Sequence, residues 1–163
     1  MSFKIDKKFL KSSHHIIELK LCSIRLHDNT KFPWLILIPK RIKITDITNL
    51  NSKDQILLMK EIVYVSKIMK KLFKTSNLNV EKIGNIVSQL HIHIIARKKT
   101  DYTWPLSVWV KKGKNYSKNN LDIVLTKLKN NIWFYCWIYL SPNGYRRSNN
   151  EYTYFKIFWL FNK

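Results

Sequence analysis

Two histidines spaced for the same face of a strand are the residues of this chain best suited to chemistry. Residues 85–97 read Asn-Ile-Val-Ser-Gln-Leu-His-Ile-His-Ile-Ile-Ala-Arg. The segment is rich in β-branched side chains and contains neither glycine nor proline, which predicts a strand. Because side chains alternate along a strand, Gln89, His91 and His93 share one face, at about 6–7 Å per two-residue step. The apolar residues between them form the opposite face, which we expect to pack on the core.

A row of imidazoles on a rigid strand is suited to two kinds of chemistry. One is a metal site, which needs further ligands; His27 is a candidate, but no spacing supports it. The other is phosphoryl transfer, in which one imidazole attacks and its neighbours stabilise the charge that develops. A strand with two half-exposed histidines and no chemistry is the third interpretation, since the pattern alone is weakly specific.

The histidine row also resembles a known signature, that of the histidine triad (HIT) family of nucleotide hydrolases and transferases. That signature is His-φ-His-φ-His-φ-φ, with φ apolar, and residues 89–95 read Gln-Leu-His-Ile-His-Ile-Ile. The resemblance covers roughly residues 3–132 and includes Asp28-Asn29, the segment 32–39 and Trp104-Pro105. It is most similar to a bacterial branch with Gln-Leu-His-φ-His, followed by Ala-Arg and Trp-Pro.

The resemblance implies a reaction at the α-phosphate of a nucleotide ester, anhydride or phosphoramidate, through a nucleotidyl-histidine intermediate. His91 would be the nucleophile, with its other ring nitrogen bonded to a backbone carbonyl of a neighbouring strand. His93 would donate a hydrogen bond to a phosphate oxygen. The resemblance further implies a nucleotide substrate and a homodimer, with no metal and no cofactor.

Gln89 departs from the family signature, because it replaces the first histidine. A carboxamide donates and accepts hydrogen bonds but carries no titrating proton near neutral pH. If the first histidine orients other groups, glutamine can replace it. If that histidine protonates the leaving group, hydrolysis is lost or restricted to good leaving groups. The alternative function is therefore a non-catalytic nucleotide- or RNA-binding module.

Four further residues are nucleotide-binding candidates through the resemblance. Asp28, or Asn29 as the alternative, corresponds to a polar residue that contacts the ribose. Asn85, directly after Gly84, corresponds to a residue that helps bind phosphate, and Trp104 belongs to a segment that closes over the site. Asp and Asn are also common turn formers, so a purely structural role is the alternative for each of the three polar residues.

The formal net charge is +20, from 30 Lys and Arg against 10 Asp and Glu. A nucleic-acid partner would explain this charge through counterion release, but so would compositional bias, because the lysines are scattered along the chain. In both cases the field attracts anionic ligands. Two cysteines without a Cys-x-x-Cys motif predict a reducing, cytoplasmic setting, and we expect neither a signal peptide nor stable membrane association.

The hydrophobic pattern predicts an α+β fold, an antiparallel β-sheet with a long helix packed across it. Residues 16–27 and 32–39 are predicted strands joined as a hairpin, and His14 and His15 precede them in a solvated loop. A helix is predicted from Ser52, as N-cap of a capping box with Gln55, to Lys74. A strand near residues 78–80 and a helix over residues 116–131, capped by Ser117, complete the pattern.

Two regions follow from this pattern: a HIT-like domain over residues 1–132 and an aromatic-rich C-terminal extension over residues 133–163. Residues 133–140 and 152–161 are dense in aromatic side chains and flank a Ser-Pro-Asn-Gly turn signal, which predicts a β-hairpin. Three interpretations stay open: an addition to a sheet or dimer surface, an interfacial membrane contact, or an extension with no selected function.

Overall fold

A five-stranded sheet with every neighbouring pair antiparallel forms the centre of the computed structural model, which describes residues 2–140. The strand order is β1-β2-β3-β5-β4. The elements are α1 Lys7–Ser12, β1 Ser13–Glu18, β2 Cys22–His27, β3 Trp34–Pro39, α2 Ser52–Phe73, β4 Asn77–Glu81, β5 Ile92–Arg97 and α3 Lys118–Leu140. Short 3₁₀ turns lie at Ile47–Asn49 and Val108–Val110. The predicted α+β architecture is confirmed.

The two faces of the sheet are covered by different parts of the chain. On one face, α2 and α3 pack over the apolar residues that lie between the histidines of the row. The predicted stripe of α2 lies here: Leu58, Ile62, Val65 and Met69 are buried, and burial of each such side chain stabilises the fold by about 1.5–3 kcal/mol. The other face is covered by Phe9, Phe32 and Val108, and it is the face that carries the histidines.

The first half of the chain contains one more strand than the sequence predicted. Residues 16–27 are not one strand, because the chain reverses between β1 and β2 and the amide of Leu19 donates to the carbonyl of Cys22 at 2.8 Å. The Glu61 carboxylate of α2 accepts from the amides of Leu21 and Cys22 at 2.7 and 2.9 Å. A buried carboxylate therefore stabilises a turn that has neither glycine nor proline.

β1 also includes the two histidines that were predicted to lie in a solvated loop. His14 pairs with Leu26 and His15 with Arg25 in the β1–β2 ladder, so the loop prediction is wrong for both. The backbone pairing with β2 decides the conformation of this polar segment. Among the described strands β1 has one neighbour, and such an outer strand can carry the polar side chains that had suggested a loop.

The α2 N-terminus lies one residue earlier than predicted. Asn51, rather than Ser52, is the N-cap, and its side-chain oxygen accepts from the amide of Asp54 at 2.9 Å. Asp54 is buried in the first turn and binds the Arg41 guanidinium through two hydrogen bonds of 2.7 and 2.6 Å. Gln55 donates to the carbonyl of Leu50 instead of completing a capping box.

The histidine strand is shorter than the predicted segment 85–97. β5 begins at Ile92, and the preceding residues run as irregular chain. Outside the ladder, the amide of Leu90 donates to the carbonyl of Ile44 at 2.9 Å, which supports the chain just before the strand. The alternation of faces nevertheless continues through this segment, because Leu90 is in the helix-covered core and His91 is not.

α3 begins where it was predicted and ends later. Ser117 directly precedes it, and Leu128 and Ile132 are buried against the core. Residues 133–140 continue this helix instead of forming the first arm of a β-hairpin. Residues 141–163, with the predicted turn and second arm, lie outside the described residues, and the domain boundary at residue 132 stays a prediction. Within residues 2–140, the helices are all too short or too polar to cross a bilayer.

Candidate active site

His91 is held in one tautomer by the chain directly before it. Its side chain is almost fully buried, at 5% exposure, and Nδ1 lies 2.7 Å from the backbone carbonyl oxygen of Gln89. A carbonyl only accepts, so Nδ1 carries the proton and Nε2 keeps its lone pair. The carbonyl belongs to the same segment as His91, so the prediction that a neighbouring strand supplies it is wrong. Burial lowers the pKa of His91, although the Gln89 hydrogen bond opposes this.

His93 is held in the opposite tautomer by an indole. Trp34 Nε1 lies 3.0 Å from His93 Nδ1, and both side chains are buried. Because an indole N–H only donates, His93 Nδ1 accepts and Nε2 carries the proton. Burial is the main cause that lowers the pKa of His93 to about 3, with smaller contributions from His91 and His27. His93 is therefore a neutral hydrogen-bond donor over the whole physiological range.

The two rings form a complementary pair. Their centroids are 4.7 Å apart and their planes are nearly perpendicular, at 88°. His91 presents an unprotonated ring nitrogen, and His93 presents a ring N–H. A nucleophile beside a fixed hydrogen-bond donor is the arrangement that attack on a phosphoryl group requires.

Aromatic rings surround the pair and keep it largely dry. Phe9 lies edge-on to His91 at 4.6 Å, and Trp109 lies 5.1 Å from His93 and 4.7 Å from Trp34. Their packing contributes to the burial that lowers the histidine pKa values, because a buried imidazolium loses its hydration. Sequence reasoning missed the roles of Phe9, Trp34 and Trp109, since only contacts distant in sequence bring these rings to the row.

His27, the candidate third metal ligand, lies in the same aromatic cluster. Its ring stacks on Trp34 with centroids 4.2 Å apart and an interplanar angle of 15°. Burial lowers the pKa of His27 to about 4. In the part of the chain that the structure describes, three or more metal-binding side chains nowhere come together.

The Gln89 carboxamide is bound to the N-terminal segment. Its Oε1 accepts from the amide of Asp6 at 2.9 Å, and its Nε2 donates to the carbonyl of Lys4 at 2.9 Å. A cavity of about 500 Å³ adjoins Gln89. It is lined by Ser2, Phe3, Lys4, Arg41, Ile42, Lys43 and Gln89, and includes neither histidine of the row.

The two ribose candidates anchor the chain before α3. Asp28 Oδ1 accepts from the amide of Tyr116 at 2.8 Å, and Asp28 Oδ2 lies 3.4 Å from His14 Nε2. Asn29 is buried, and its Oδ1 accepts from the amide of Lys31 at 2.9 Å. A Cβ on Gly113 would lie 2.1 Å from that same Oδ1, so only glycine fits there without a shift of Asn29. These contacts are structural, and the ribose role of either residue stays a prediction.

Asn85 and Trp104 are in exposed segments on either side of β5. The Asn85 side chain is exposed, and Trp104 is 38% exposed. Arg97, which sequence reasoning overlooked, is buried beneath the Trp104 loop, with its guanidinium 5.7 Å from the Trp104 ring. It donates to Asp101 Oδ2 at 3.0 Å and to the carbonyl of Leu106 at 3.0 Å, and so determines the path of this loop.

Comparisons with known proteins agree with this geometry. The sequence profile of the HIT domain matches residues 9–100. A histidine triad protein from Bradyrhizobium japonicum has 31% identity and a TM-score of 0.78, over 82% of this chain and 100% of that chain. A histidine triad protein from Marinobacter aquaeolei has 31% identity and a TM-score of 0.79, over 82% of this chain and 98% of that chain.

A more divergent enzyme shares the fold. Diadenosine triphosphate hydrolase from Plasmodium falciparum has 21% identity and a TM-score of 0.55, over 81% of either chain. No curated protein sequence matches this chain. The HIT profile nevertheless covers more than half of the chain, and structures above 30% identity are spanned almost completely. The chain therefore belongs to the HIT domain family.

Proposed function

We propose that this protein is a nucleotide hydrolase or transferase that forms a covalent nucleotidyl intermediate on His91. Family membership supports nucleotide binding and hydrolase or transferase chemistry at the level of the family. The observation that carries the proposal is the pair of opposite tautomers, with Nε2 bare on His91 and protonated on His93.

In the proposed reaction, His91 Nε2 attacks the α-phosphorus of a nucleotide ester, anhydride or phosphoramidate. The bond from phosphorus to the leaving group breaks, and its electron pair departs with that group. Water or another acceptor then attacks phosphorus and releases a proton to solvent, the P–N bond breaks, and its electron pair returns to His91 Nε2. His93 Nε2–H donates to a non-bridging oxygen in both steps, and loss of such a donor costs roughly 10²–10³ in rate.

The leaving group must obtain its proton elsewhere than from Gln89. A carboxamide has no acidic proton near neutral pH, and both polar ends of this side chain are bonded to backbone groups. The proposed substrates are therefore those whose leaving group departs as a stable anion or takes its proton from water. The same observation favours the second candidate, a non-catalytic nucleotide-binding module.

A homodimer belongs to the proposal. An exposed apolar stripe runs along α2 through Ile56, Met59 and Val63, away from the buried stripe. Within residues 2–140, β4 is an outer strand of the sheet whose second backbone edge has no paired strand. We expect sedimentation to give a dimer that Met59→Glu weakens and Lys127→Glu, an exposed position on α3, does not. A wild-type monomer at micromolar concentration contradicts this part of the proposal.

Two broader expectations also stay predictions. The charge of +20 is consistent with a nucleic-acid partner, which steep loss of RNA binding between low and moderate salt would support. A reducing, cytoplasmic location is inferred from the cysteine content, and the one described cysteine, Cys22, is a buried free thiol.

Covalent trapping tests the proposal directly. The full chain is incubated briefly with an adenosine phosphoramidate or a dinucleoside polyphosphate, and acid-labile adducts are mapped by mass spectrometry. We expect one adenylyl group on His91. Nucleotide binding without an adduct and without turnover contradicts the enzyme proposal and supports the binding module.

A further inference from the structure

The N-terminal strap, defined as residues 3–9, crosses the histidine face of the sheet. Three hydrogen bonds tie it to the segment before β5. In the first, the Gln89 carboxamide donates to the carbonyl of Lys4, and in the second it accepts from the amide of Asp6. In the third, Lys8 Nζ donates to the carbonyl of Ile86 at 3.1 Å. Gln89 and Asp6 are 83 residues apart in the sequence, so this is a tertiary contact and not a local turn.

The strap brings one ring directly onto the candidate nucleophile. Asp6 is the N-cap of α1, and its Oδ1 accepts from the amide of Lys8 at 2.8 Å. The amide of this same Asp6 donates to Gln89. Phe9, in the first turn of α1, is 4% exposed and contacts the His91 ring. Gln89 therefore fixes the residue at which α1 starts, and α1 fixes Phe9.

We infer that Gln89 is a positioning residue, which holds the N-terminal strap so that Phe9 fixes the ring of His91 for attack. The inference rests on the proposed function for its catalytic consequence, although the contact itself does not. Gln89 reaches His91 by two routes, through its own backbone carbonyl on Nδ1 and through the strap on the ring. Its side chain takes no part in proton transfer.

The chemistry of the strap contact favours glutamine. The contact needs a donor for the carbonyl of Lys4 and an acceptor for the amide of Asp6, on one flat group. A carboxamide supplies both at all physiological pH values, whereas a carboxylate only accepts and methionine does neither. A histidine at this position would have to keep one tautomer and would lose the contact on protonation.

Release of the strap has a consequence that can be measured without substrate. Burial is the main cause that lowers the pKa of His91, and Phe9 supplies part of that burial. The charged or titratable groups that act on His91 are Lys82, which also lowers its pKa, and His93, which stays neutral. Hydration of the ring raises the pKa of His91 toward 6.5, and the acid limb of activity moves to higher pH with it.

The test is a double-mutant cycle between Gln89→Met and Phe9→Ala in the full chain, with Gln55→Met as the matched control. Gln55 also donates a hydrogen bond to a backbone carbonyl, but it lies in α2 and not in the segment before β5. NMR titration gives the pKa of His91, and steady-state kinetics with an adenosine phosphoramidate gives kcat and KM. Gln89→Glu serves as a second variant, since it keeps the acceptor and loses the donor.

We expect Gln89→Met and Phe9→Ala each to raise the pKa of His91 and to lower kcat about 10–100-fold at unchanged KM. The double variant should be no worse than Phe9→Ala alone, because both act through one contact. An unchanged pKa of His91 in Gln89→Met overturns the inference, as does a double variant whose losses multiply.

These outcomes are separable from the proposed function. The ring titration reports the placement of His91 whether or not the protein transfers nucleotides. Absence of an adduct in the wild-type chain contradicts the enzyme proposal, while the titration of the variants still decides whether Gln89 positions the ring.

Discussion

The histidine row and the N-terminal strap contribute to the same site in different ways. The row is contiguous in sequence, and its alternation alone shows which side chains share a face. The strap is far away in sequence, short and basic, and nothing in its composition indicates that it lies over the row. Yet the strap supplies Phe9, so the tautomer of His91 is set by the row and the packing of its ring by the strap.

The row determines which chemical groups are present, whereas residues outside it determine how those groups are protonated and hydrated. The sequence shows that imidazoles are present and adjacent. Which nitrogen carries the proton depends on a carbonyl of Gln89 and an indole of Trp34, and how dry each ring is depends on Phe9 and Trp109. Substitutions in the row should therefore remove chemistry, whereas substitutions in the strap should shift pKa values and rates.

The largest effect is expected in the row itself. His91→Ala removes the attacking nitrogen, so nucleotidyl transfer should fall by more than about 10⁴-fold. Rates from single-turnover assays check this, with thermal unfolding as the fold control. His15→Ala, an exposed histidine in β1, is the matched variant and should keep full activity. Activity retained by His91→Ala would exclude it as the nucleophile.

The second-largest loss of activity is expected at His93, the hydrogen-bond donor of the histidine pair. His93→Gln keeps a polar side chain but misplaces the N–H, and we expect a loss of roughly 10²–10³ in kcat. Trp34→Phe leaves His93 in place and removes the indole that fixes its tautomer. A smaller loss, about tenfold, is expected there. Equal rates in wild type and His93→Gln would contradict the donor role.

The pH dependence of the free energy of unfolding should report the burial of His93 and His27. Burial lowers the pKa of His93 to about 3 and of His27 to about 4, against about 6.5 in an unfolded chain. Below about pH 6.5 the unfolded state therefore binds more protons. The free energy of unfolding should fall as the pH is lowered, by roughly 1.4 kcal/mol per pH unit for each histidine.

Urea unfolding between about pH 6.5 and pH 4.5 measures this slope. His93→Gln removes one of the protons taken up on unfolding, so its slope should be smaller than that of the wild type by the share of one histidine. Gln55→Met, an exposed substitution that removes no titrating group, should leave the slope unchanged. Equal slopes in wild type and His93→Gln would show that His93 is not buried as a neutral ring.

The smallest effect should come from a residue that belongs to neither region. Asn85 is exposed, so Asn85→Ala should change the free energy of unfolding by no more than about 0.5 kcal/mol. If Asn85 helps bind phosphate, the KM of Asn85→Ala should rise about tenfold at unchanged stability. Ser88→Ala, in the same segment, is the control and should keep the KM of the wild type. An unchanged KM would remove Asn85 from the site.

Elements set by local pattern could be predicted from the sequence. The apolar stripe of α2, the buried strand that ends at Pro39 and the two faces of β5 all follow from periodicity within one segment. The resemblance of residues 89–95 to the HIT signature added the family, which the comparisons confirm.

Features that depend on distant contacts could not be predicted. The turn between β1 and β2 is stabilised by Glu61 from α2, which is 40 residues away from Leu21. The path of the Trp104 loop depends on the buried Arg97, to which the sequence pattern assigned no role. The prediction of the candidate site was thus incomplete in its surroundings.

The most direct test of the account is the tautomeric state of the two histidines in the full wild-type chain. Long-range ¹H–¹⁵N correlation spectra of the imidazole rings near neutral pH distinguish protonated from bare ring nitrogens. The account predicts a protonated Nδ1 and bare Nε2 on His91, with the reverse on His93. A His91 ring protonated at Nε2, or either ring charged near neutral pH, would contradict it.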